Sequence, residues 1–416
     1  MRNINGERLW ASLEALGRIG AYQDEASGLT GVRRLALTAE DGEGRRHVVG
    51  LMRAAGLTVT VDRIGNVYGR RAGREDALEP VMSGSHIDSV ATAGRFDGCL
   101  GVLGALEVVK TLNDEGTVTR RPLVVAFFSE EEGARFGTDM LGSAVATGRV
   151  PLAAAYGLLD RAGKTVKDEL SAIGFLGEAP ELLSAPHAYV ECHIEQGPLL
   201  RAAGMDVGVV TGVQAISWME LTLTGKSAHA GTTPMELRVD PGVVASRVQL
   251  HLREMVRSGR YGADLRATMG VTRFEPGLVN VVPNKVVATV DLRHPFDAVL
   301  KRAEAELHRF FEAAAAEEKV TLAWRQTART PDVSFSARVQ EAVAASAQAR
   351  GLKHQRIVSG AGHDCQELAR LCRAGMVFIP GEYDGISHNP REYSTPKQCA
   401  DGVNVLCDVL VALADE

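Results

Sequence analysis

Short apolar segments that alternate with amphipathic helical segments constrain the fold of this chain most strongly. Residues 122–128 form one continuous apolar run, which is typical of a strand covered on both faces of a sheet. Helical periodicity at residues 5–20 and about 45–55 precedes the first such segment. The alternation predicts an α/β fold whose sheet contains parallel strands.

The region from about residue 211 to residue 326 has a different pattern. It reads as strand, helix, two strands, helix and strand, the order of a small split-βαβ domain. Domains run to roughly 100–200 residues, so a 416-residue chain has room for such an insertion. We therefore predict a larger mixed-sheet domain of residues 1–211 and 328–416, into which a ferredoxin-like domain of residues 212–327 is inserted.

Composition excludes several classes of partner. The net charge is −6 and no long basic run is present, so we expect no nucleic acid partner. The longest apolar runs fall far short of the ~20 residues that span a bilayer, and the first ten residues lack the apolar core of a secretory signal. Six cysteines without a CxxC pair indicate reduced thiols, and we expect a cytoplasmic protein.

Side chains that bind metals follow several of the predicted strands. They are His86 and Asp88, Asp97, Glu131 and Glu132, His193, and His388. The carboxyl ends of strands in an open α/β sheet form the edge where ligands bind. Imidazoles and carboxylates from separate segments suit Zn²⁺, and they also suit Mn²⁺, Co²⁺ or Ni²⁺. We therefore predict a metal site at this edge.

Each of these segments also has a purely structural interpretation. A histidine at a strand end is usually hydrogen-bonded within the protein. The acidic run 130–132 suits the first turn of a solvated helix, and Asp97 suits a helix N-cap. Five segments would each need a separate explanation of this kind, whereas one metal site accounts for all of them.

Six motifs resemble, in order, those of the amidase branch of the M20 metallopeptidases. The motifs are HID, GRFDG, EEEGARFG, HIEQGP, GKSAHAGTTPMELRVD and DGISHNPREY. The branch contains N-carbamoyl-L-amino-acid hydrolases, β-ureidopropionases and allantoate amidohydrolases. The resemblance implies two divalent ions bridged by Asp97, with Zn²⁺ expected first and Mn²⁺ or Co²⁺ as alternatives. His86 and His193 would complete one ion site, and Glu132 and His388 the other.

The resemblance also implies roles in catalysis. Glu131 would be the general base that takes a proton from water and returns it to the leaving nitrogen. Asp88 would orient the imidazole of His86. His229 would polarise the scissile carbonyl.

Further residues would bind the substrate. Gln196, Asn280 and Arg293 would hold a substrate carboxylate, for which the planar fork of arginine is well suited. Gly360 would contact the substrate through its backbone. An ordinary salt bridge is the structural alternative for Arg293. The family also implies that the inserted domain closes as a lid and forms the interface of a homodimer.

The function that we expect is hydrolysis of N-carbamoyl-L-amino acids to the amino acid, CO₂ and ammonia. The substrate would be a small ureido or amide compound that carries a carboxylate. Alternatives within the family are allantoate amidohydrolase, β-ureidopropionase, and a dipeptidase or aminoacylase-like amidase. A binding protein that kept the fold is a further alternative, although it would not need Glu131. No GxSxG, GxGxxG or Walker A motif occurs, so neither serine chemistry nor a nucleotide cofactor is expected.

Overall fold

The structure is a computed structural model that describes all 416 residues. The chain divides into two compact units: unit 1 comprises Met1–Val213 and Ser334–Glu416, and unit 2 comprises Gln214–Val333. The large mixed sheet of unit 1 confirms the predicted mixed α/β class. None of the helices combines the length and the apolar character that a membrane span requires.

The chain contains twelve α-helices and eighteen strands. The helices are α1 (Gly6–Gly17), α2 (Ala39–Ala54), α3 (Cys99–Asp114), α4 (Leu141–Ala146), α5 (Leu152–Tyr156), α6 (Val166–Ile173), α7 (Leu199–Ala202), α8 (Pro241–Arg257), α9 (Asp297–Glu317), α10 (Ala337–Ala349), α11 (Asp364–Leu368) and α12 (Pro396–Ala414). The strands are β1 (Ala21–Gln23), β2 (Thr30–Val32), β3 (Thr58–Val61), β4 (Val67–Arg71), β5 (Val81–His86), β6 (Leu123–Phe128), β7 (Ala188–Ile194), β8 (Val207–Val213), β9 (Ala215–Thr224), β10 (Ala228–His229), β11 (Arg266–Thr268), β12 (Thr272–Glu275), β13 (Val281–Val282), β14 (Lys285–His294), β15 (Thr321–Thr330), β16 (Val333–Ser334), β17 (His354–Ser359) and β18 (Arg373–Ile379).

Unit 1 is built on a nine-stranded sheet with the order β16-β8-β18-β7-β5-β6-β4-β3, and β17 pairs with β8. The neighbouring strands β6, β5, β7 and β18 run parallel. Every residue of β5, β6 and β7 is buried, as expected for parallel strands that are covered on both faces. Helices α3, α10 and α12 pack against these strands.

Unit 2 contains an antiparallel sheet with the order β11-β14-β9-β15, against which α8 and α9 pack. Along β14 half-buried and buried residues alternate strictly, as in a strand with one face on the core. The segment that the sequence predicts as one strand near residues 267–275 forms two, β11 and β12. The chain breaks pairing between them around Gly270, and both strands pair with β14.

Helix α2 begins six residues before the predicted start near residue 45. Two glycines, Gly42 and Gly44, make this first stretch a poor helix by propensity. Tertiary packing requires them: a Cβ at Gly42 would lie 3.0 Å from Ile173 Cβ, and a Cβ at Gly44 would lie 2.9 Å from Arg34 Cδ. The Thr38 hydroxyl caps the helix by accepting the Asp41 N–H.

Helix α2 contains a fully buried ion pair, and its arginine also contacts the loop after β6. Arg45 Nε donates to Asp41 Oδ2 at 2.7 Å, and both side chains are inaccessible to solvent. The other guanidinium nitrogens donate to Gly65 O at 2.7 Å and to Ser129 Oγ at 3.1 Å. Because Ser129 directly precedes the acidic run, Arg45 fixes the base of the loop that carries Glu131.

All six cysteines are free, and five of them are buried. Burial raises the pKa of the Cys372 and Cys399 thiols to about 12. These two thiols are therefore protonated at neutral pH, and a protonated thiol is a poor nucleophile.

Replacing Arg45 with alanine should destabilise unit 1 strongly, because Asp41 would remain as a buried charge without its partner. We expect a loss of about 3–5 kcal/mol in the free energy of unfolding. The matched control is Arg46→Ala, since Arg46 is exposed and contacts only the Ile173 carbonyl; it should cost less than about 1 kcal/mol. Urea unfolding measures both, and equal losses would show that the buried pair contributes nothing special.

Candidate metal centre

Four neighbouring parallel strands deliver the predicted metal-binding side chains to one edge of the unit 1 sheet. His86 is the last residue of β5, and His193 is the penultimate residue of β7. Glu131 and Glu132 follow β6, and His388 lies in the loop after β18. Asp97 enters from the same edge just before α3. The strand-end pattern of the sequence therefore corresponds to one site.

The carboxylate of Asp97 lies between two sets of side chains. Asp97 Oδ1 is 3.2 Å from His193 Nε2 and 3.6 Å from His86 Nε2. Asp97 Oδ2 is 3.4 Å from His388 Nε2, which in turn is 3.2 Å from Glu132 Oε2. Each carboxylate oxygen thus faces its own group of ligand atoms, which is the arrangement that a bridging carboxylate needs.

Both groups fit a divalent ion. The ligand atoms within each group, His86–Asp97–His193 and Asp97–Glu132–His388, all lie within 4.8 Å of one another. A tetrahedral ion with bonds of about 2.1 Å separates its ligand atoms by ~3.4 Å, close to the distances around Asp97. The mixed imidazole and carboxylate donors accept several divalent transition metals, so the donor set alone does not choose the ion.

Hydrogen bonds fix the imidazoles with Nε2 toward the centre. His86 Nδ1 lies 2.9 Å from the Asp88 carbonyl oxygen, and His193 Nδ1 lies 2.9 Å from the Ile194 carbonyl oxygen. Carbonyls only accept, so Nδ1 carries a proton in both rings, and in the neutral form of each ring Nε2 keeps a lone pair. The Gly98 N–H also points at His193 Nε2, at 3.0 Å, which requires the same tautomer.

Asp88 contacts two parts of the centre through two different groups. Its backbone carbonyl, rather than its carboxylate, makes the short contact with His86, since Asp88 Oδ1 is 3.9 Å from His86 Nδ1. The carboxylate instead accepts the backbone N–H groups of Glu131 and Glu132, each at 3.4 Å. Asp88 therefore holds both the imidazole and the acidic loop.

The acidic run is a buried loop rather than the start of a solvated helix. Glu131 is 7% exposed, and its Oε2 lies 3.5 Å from His86 Nε2, at the mouth of the first ligand group. Glu130 has a positive φ of 53° and points away, where its Oε1 accepts the Arg135 and Phe136 N–H groups. The three acids thus have three different environments.

The electrostatics of the centre favour bound positive charge. Burial alone would raise the pKa of Asp97, but contacts with three imidazoles hold it well below its usual range. Burial alone would lower the pKa of His388, yet Asp97 and Glu132 raise it to about 11. Burial raises the pKa of Glu131 well above its usual value, and nearby carboxylates add to this effect. Crowded buried carboxylates are the condition under which a cation binds well.

A third group of possible ligands is satisfied by hydrogen bonds. It consists of Glu191, His193 and His363. Glu191 accepts the Ser85 hydroxyl at 2.7 Å, and His363 Nε2 lies 2.9 Å from Ser359 Oγ. This buried network packs against His193, because the His363 and His193 ring centroids are 4.6 Å apart.

The other predicted substrate residues of unit 1 lie in loops. Gln196, at a positive φ of 57°, donates from Nε2 to Asp97 Oδ2 at 2.8 Å, so it contacts the Asp97 carboxylate directly. Gly360 lies exposed in the loop that follows β17.

His229, Asn280 and Arg293 lie in unit 2. The Gly231 and Thr232 N–H groups donate to His229 Nδ1 at 3.0 and 3.2 Å, which leaves Nε2 as the protonated nitrogen of the neutral ring. The Asn280 carbonyl accepts the Ala230 N–H at 3.0 Å, so Asn280, which precedes β13, lies beside the end of β10, where His229 is the last residue.

Arg293 lies on β14 and is already engaged. Its Nη2 is 2.8 Å from Asp291 Oδ2, and its Nε lies 3.0 Å from both oxygens of the same carboxylate. This is the salt bridge that the sequence left open as the structural alternative for Arg293. A substrate carboxylate would therefore have to compete with Asp291 for the guanidinium.

Two residues of the centre were missed from the sequence: Ser387 and Glu392. Both belong to the DGISHNPREY motif, from which only His388 was assigned a role. Ser387 Oγ lies 2.9 Å from Asp97 Oδ2, and Glu392 is 5% exposed beneath the same loop. Burial raises the pKa of Glu392 to about 7. A carboxylate four residues after a ligand was the available signal.

The two glycines of GRFDG are required by close approach. A Cβ at Gly98, where φ is +66°, would lie 2.4 Å from His86 Nε2. A Cβ at Gly94 would lie 2.5 Å from Glu392 Cβ. The loop can place Asp97 at the centre because neither Gly94 nor Gly98 has a side chain.

The chain belongs to peptidase family M20/M25/M40, whose sequence pattern matches residues 82–412. It is 38% identical to an N-carbamoyl-L-amino-acid amidohydrolase of Rhizobium meliloti, over 100% of this chain and 98% of that protein. It is 33% identical to an allantoate amidohydrolase of Bacillus subtilis, over 97% of this chain and 96% of that protein. A solved amidase of the hydantoinase/carbamoylase family from Burkholderia vietnamiensis is 43% identical, with a TM-score of 0.94, over 100% of this chain and 98% of that chain.

Substituting Gly98 with alanine should disrupt the centre, because the new Cβ overlaps the His86 ring. The control is Gly116→Ala: Gly116 has nearly the same φ, +64°, but no atom lies within 4 Å of the added Cβ. A strained positive φ alone costs an alanine roughly 1–3 kcal/mol, and the overlap should add about 1–3 kcal/mol at Gly98. Equal losses in urea unfolding would contradict the packing assigned to Gly98.

Proposed function

We propose that the protein is a metal-dependent amidohydrolase that cleaves N-carbamoyl-L-amino acids to the amino acid, CO₂ and ammonia. The observation that carries the proposal is the Asp97 carboxylate, whose two oxygens each face a separate group of metal-binding atoms. The relative from Rhizobium meliloti, similar over its whole length, supports the choice of substrate.

Two divalent ions are part of the proposal. His86, His193 and Asp97 would hold one, and Glu132, His388 and Asp97 the other. When bound, such ions lower the pKa of water and polarise a carbonyl oxygen. Zn²⁺ is our first choice, with Mn²⁺ or Co²⁺ as alternatives, because all three accept these donors.

Glu131 is the general base in this proposal. Its Oε2 lies beside the first ligand group and makes no contact with an arginine or lysine that would hold it permanently charged. Burial favours its protonated form, so the carboxylate can take a proton from water at Oε2 and hand it to the leaving nitrogen. One water is consumed for each urea C–N bond cleavage, and the carbamate that remains decomposes to CO₂ and ammonia.

The roles of the remaining residues also stay proposals. His229 would donate from Nε2 to the developing oxyanion, which the backbone donors on Nδ1 support. Gln196, Asn280 and Arg293 would hold the substrate carboxylate, and Gly360 would contact it through its backbone. Residues 212–327 would form a ferredoxin-like lid and the interface of a cytoplasmic homodimer.

Allantoate is the second candidate substrate, because the allantoate amidohydrolase of Bacillus subtilis is also similar over its whole length. The test is a panel of N-carbamoyl-L-amino acids, 3-ureidopropionate and allantoate, assayed for ammonia release after loading with each metal. We expect turnover of N-carbamoyl-L-amino acids. Turnover of allantoate alone would replace the first proposal with the second.

Glu131→Gln should keep the bound ions and lose activity, because the amide cannot accept the proton. General bases contribute roughly 10²–10⁴-fold, so kcat should fall by at least about 100-fold. Glu132→Gln is the contrasting variant, since it removes a ligand and should lower the ion content per chain. Elemental analysis and ammonia release distinguish the two; an active Glu131→Gln variant would assign the base elsewhere.

A further inference from the structure

The segment from Ser387 to Glu392 contacts the loop of residues 92–97, here called the Asp97 loop, at several points. Only one of its residues, His388, is a predicted metal ligand. Thr92 Oγ1 donates to the His388 carbonyl at 3.0 Å. Ser387 Oγ lies 2.9 Å from Asp97 Oδ2, and Glu392 accepts backbone N–H groups of the Asp97 loop. These contacts fasten the loop that carries the bridging carboxylate to the loop that carries His388.

Glu392 is a buried carboxylate, and its partners are two backbone N–H groups of the Asp97 loop and the Ser387 side chain. It forms no ion pair, although it is only 5% exposed. Its Oε1 accepts the Phe96 N–H at 3.0 Å and the Asp97 N–H at 3.2 Å. Its Oε2 lies 2.7 Å from Ser387 Oγ. Burying a carboxylate without an ion-pair partner is costly, so we expect Glu392 to have a role beyond packing.

Ser387 connects this carboxylate to the side chain of Asp97. Its Oγ lies between Glu392 Oε2 and Asp97 Oδ2, at 2.7 and 2.9 Å. Oδ2 is the Asp97 oxygen that faces His388, 3.4 Å away. The Ser387 hydroxyl has a single hydrogen, so when it donates to Asp97 Oδ2 it acts, together with the Gln196 amide on the same oxygen, on the half of Asp97 that belongs to the second ligand group.

We propose that Ser387 and Glu392 are positioning residues for the second ion: Glu392 fixes the Asp97 backbone, and Ser387 sets the rotation of its carboxylate so that Oδ2 faces His388 and Glu132. This inference rests on the proposed dinuclear centre. Neither residue is a ligand in it. Partners of this kind typically change metal affinity by 10–100-fold when removed.

The test is Co²⁺ binding to the apoprotein, followed by visible absorption and by isothermal titration calorimetry. Ser387→Ala should weaken one of the two Co²⁺ sites by about 10–100-fold and change its absorption band, while the other site stays as in the wild type. Ser387→Thr, which keeps the hydroxyl, should restore both. Ser394→Ala is the control, because it also removes a serine hydroxyl, one that is buried and donates to the Pro380 carbonyl rather than to Asp97, whereas Ser387 is half-buried.

The melting temperature of each apoprotein separates positioning from folding. The melting temperature should change no more in Ser387→Ala than in Ser394→Ala, although only the former loses Co²⁺ affinity. Glu392→Asp gives an independent variant, since it is one methylene too short to reach both Ser387 and the Phe96 amide, and it should weaken the same site.

Two results would overturn the inference without touching the proposed function. One is a Ser387→Ala variant that binds both Co²⁺ ions as the wild type does, and the other is a Ser387→Thr variant as weak as Ser387→Ala. A wild-type apoprotein that takes up no second Co²⁺ would instead remove the dinuclear centre itself, and this inference with it.

Discussion

The carboxylate of Asp97 is the point on which the rest of the centre depends. One oxygen faces His86 and His193, and the other faces His388. Its position follows from the backbone around it, because Gly94 and Gly98 let the loop pass between Glu392 and the His86 ring. A carboxylate placed in this way would gain from a cation on each side, and that gain would offset the cost of burying it.

The sheet of unit 1 explains why distant segments meet there. Parallel strands β6, β5, β7 and β18 end at one edge, so their following residues converge whatever their separation along the chain. Behind that edge, buried polar groups hold the ligands in place: Arg45 fixes the base of the acidic loop, and the Asp88 and Ile194 carbonyls fix the two imidazoles. The exposed side of the centre carries His388, whose side chain is 48% accessible.

The sequence predicted the elements whose signal is local. The apolar run of β6 was recognisable, and ligand-type residues after strands indicated the site. Features that depend on tertiary contact were missed. The start of α2 contains glycines that propensity disfavours but packing against Ile173 and Arg34 requires.

The same limit applies inside the centre. The Gln196 amide contacts Asp97, and the part of Asp88 that contacts His86 is a carbonyl, and residue types alone indicate neither contact. Glu392 was not predicted from the sequence, because it accepts hydrogen bonds from backbone N–H groups and every residue type except proline has such a group. The types of side chain therefore predict what kind of site forms. The backbone geometry determines which atom of each residue makes the contact.

The most direct test of the account is a crystal structure of the metal-loaded protein with anomalous diffraction data collected at the absorption edge of the metal. We expect two anomalous peaks on opposite sides of Asp97. One should lie among His86, His193 and Asp97 Oδ1, and the other among Glu132, His388 and Asp97 Oδ2. A single peak that Asp97 does not touch, or peaks at other side chains, would contradict the central role of this carboxylate.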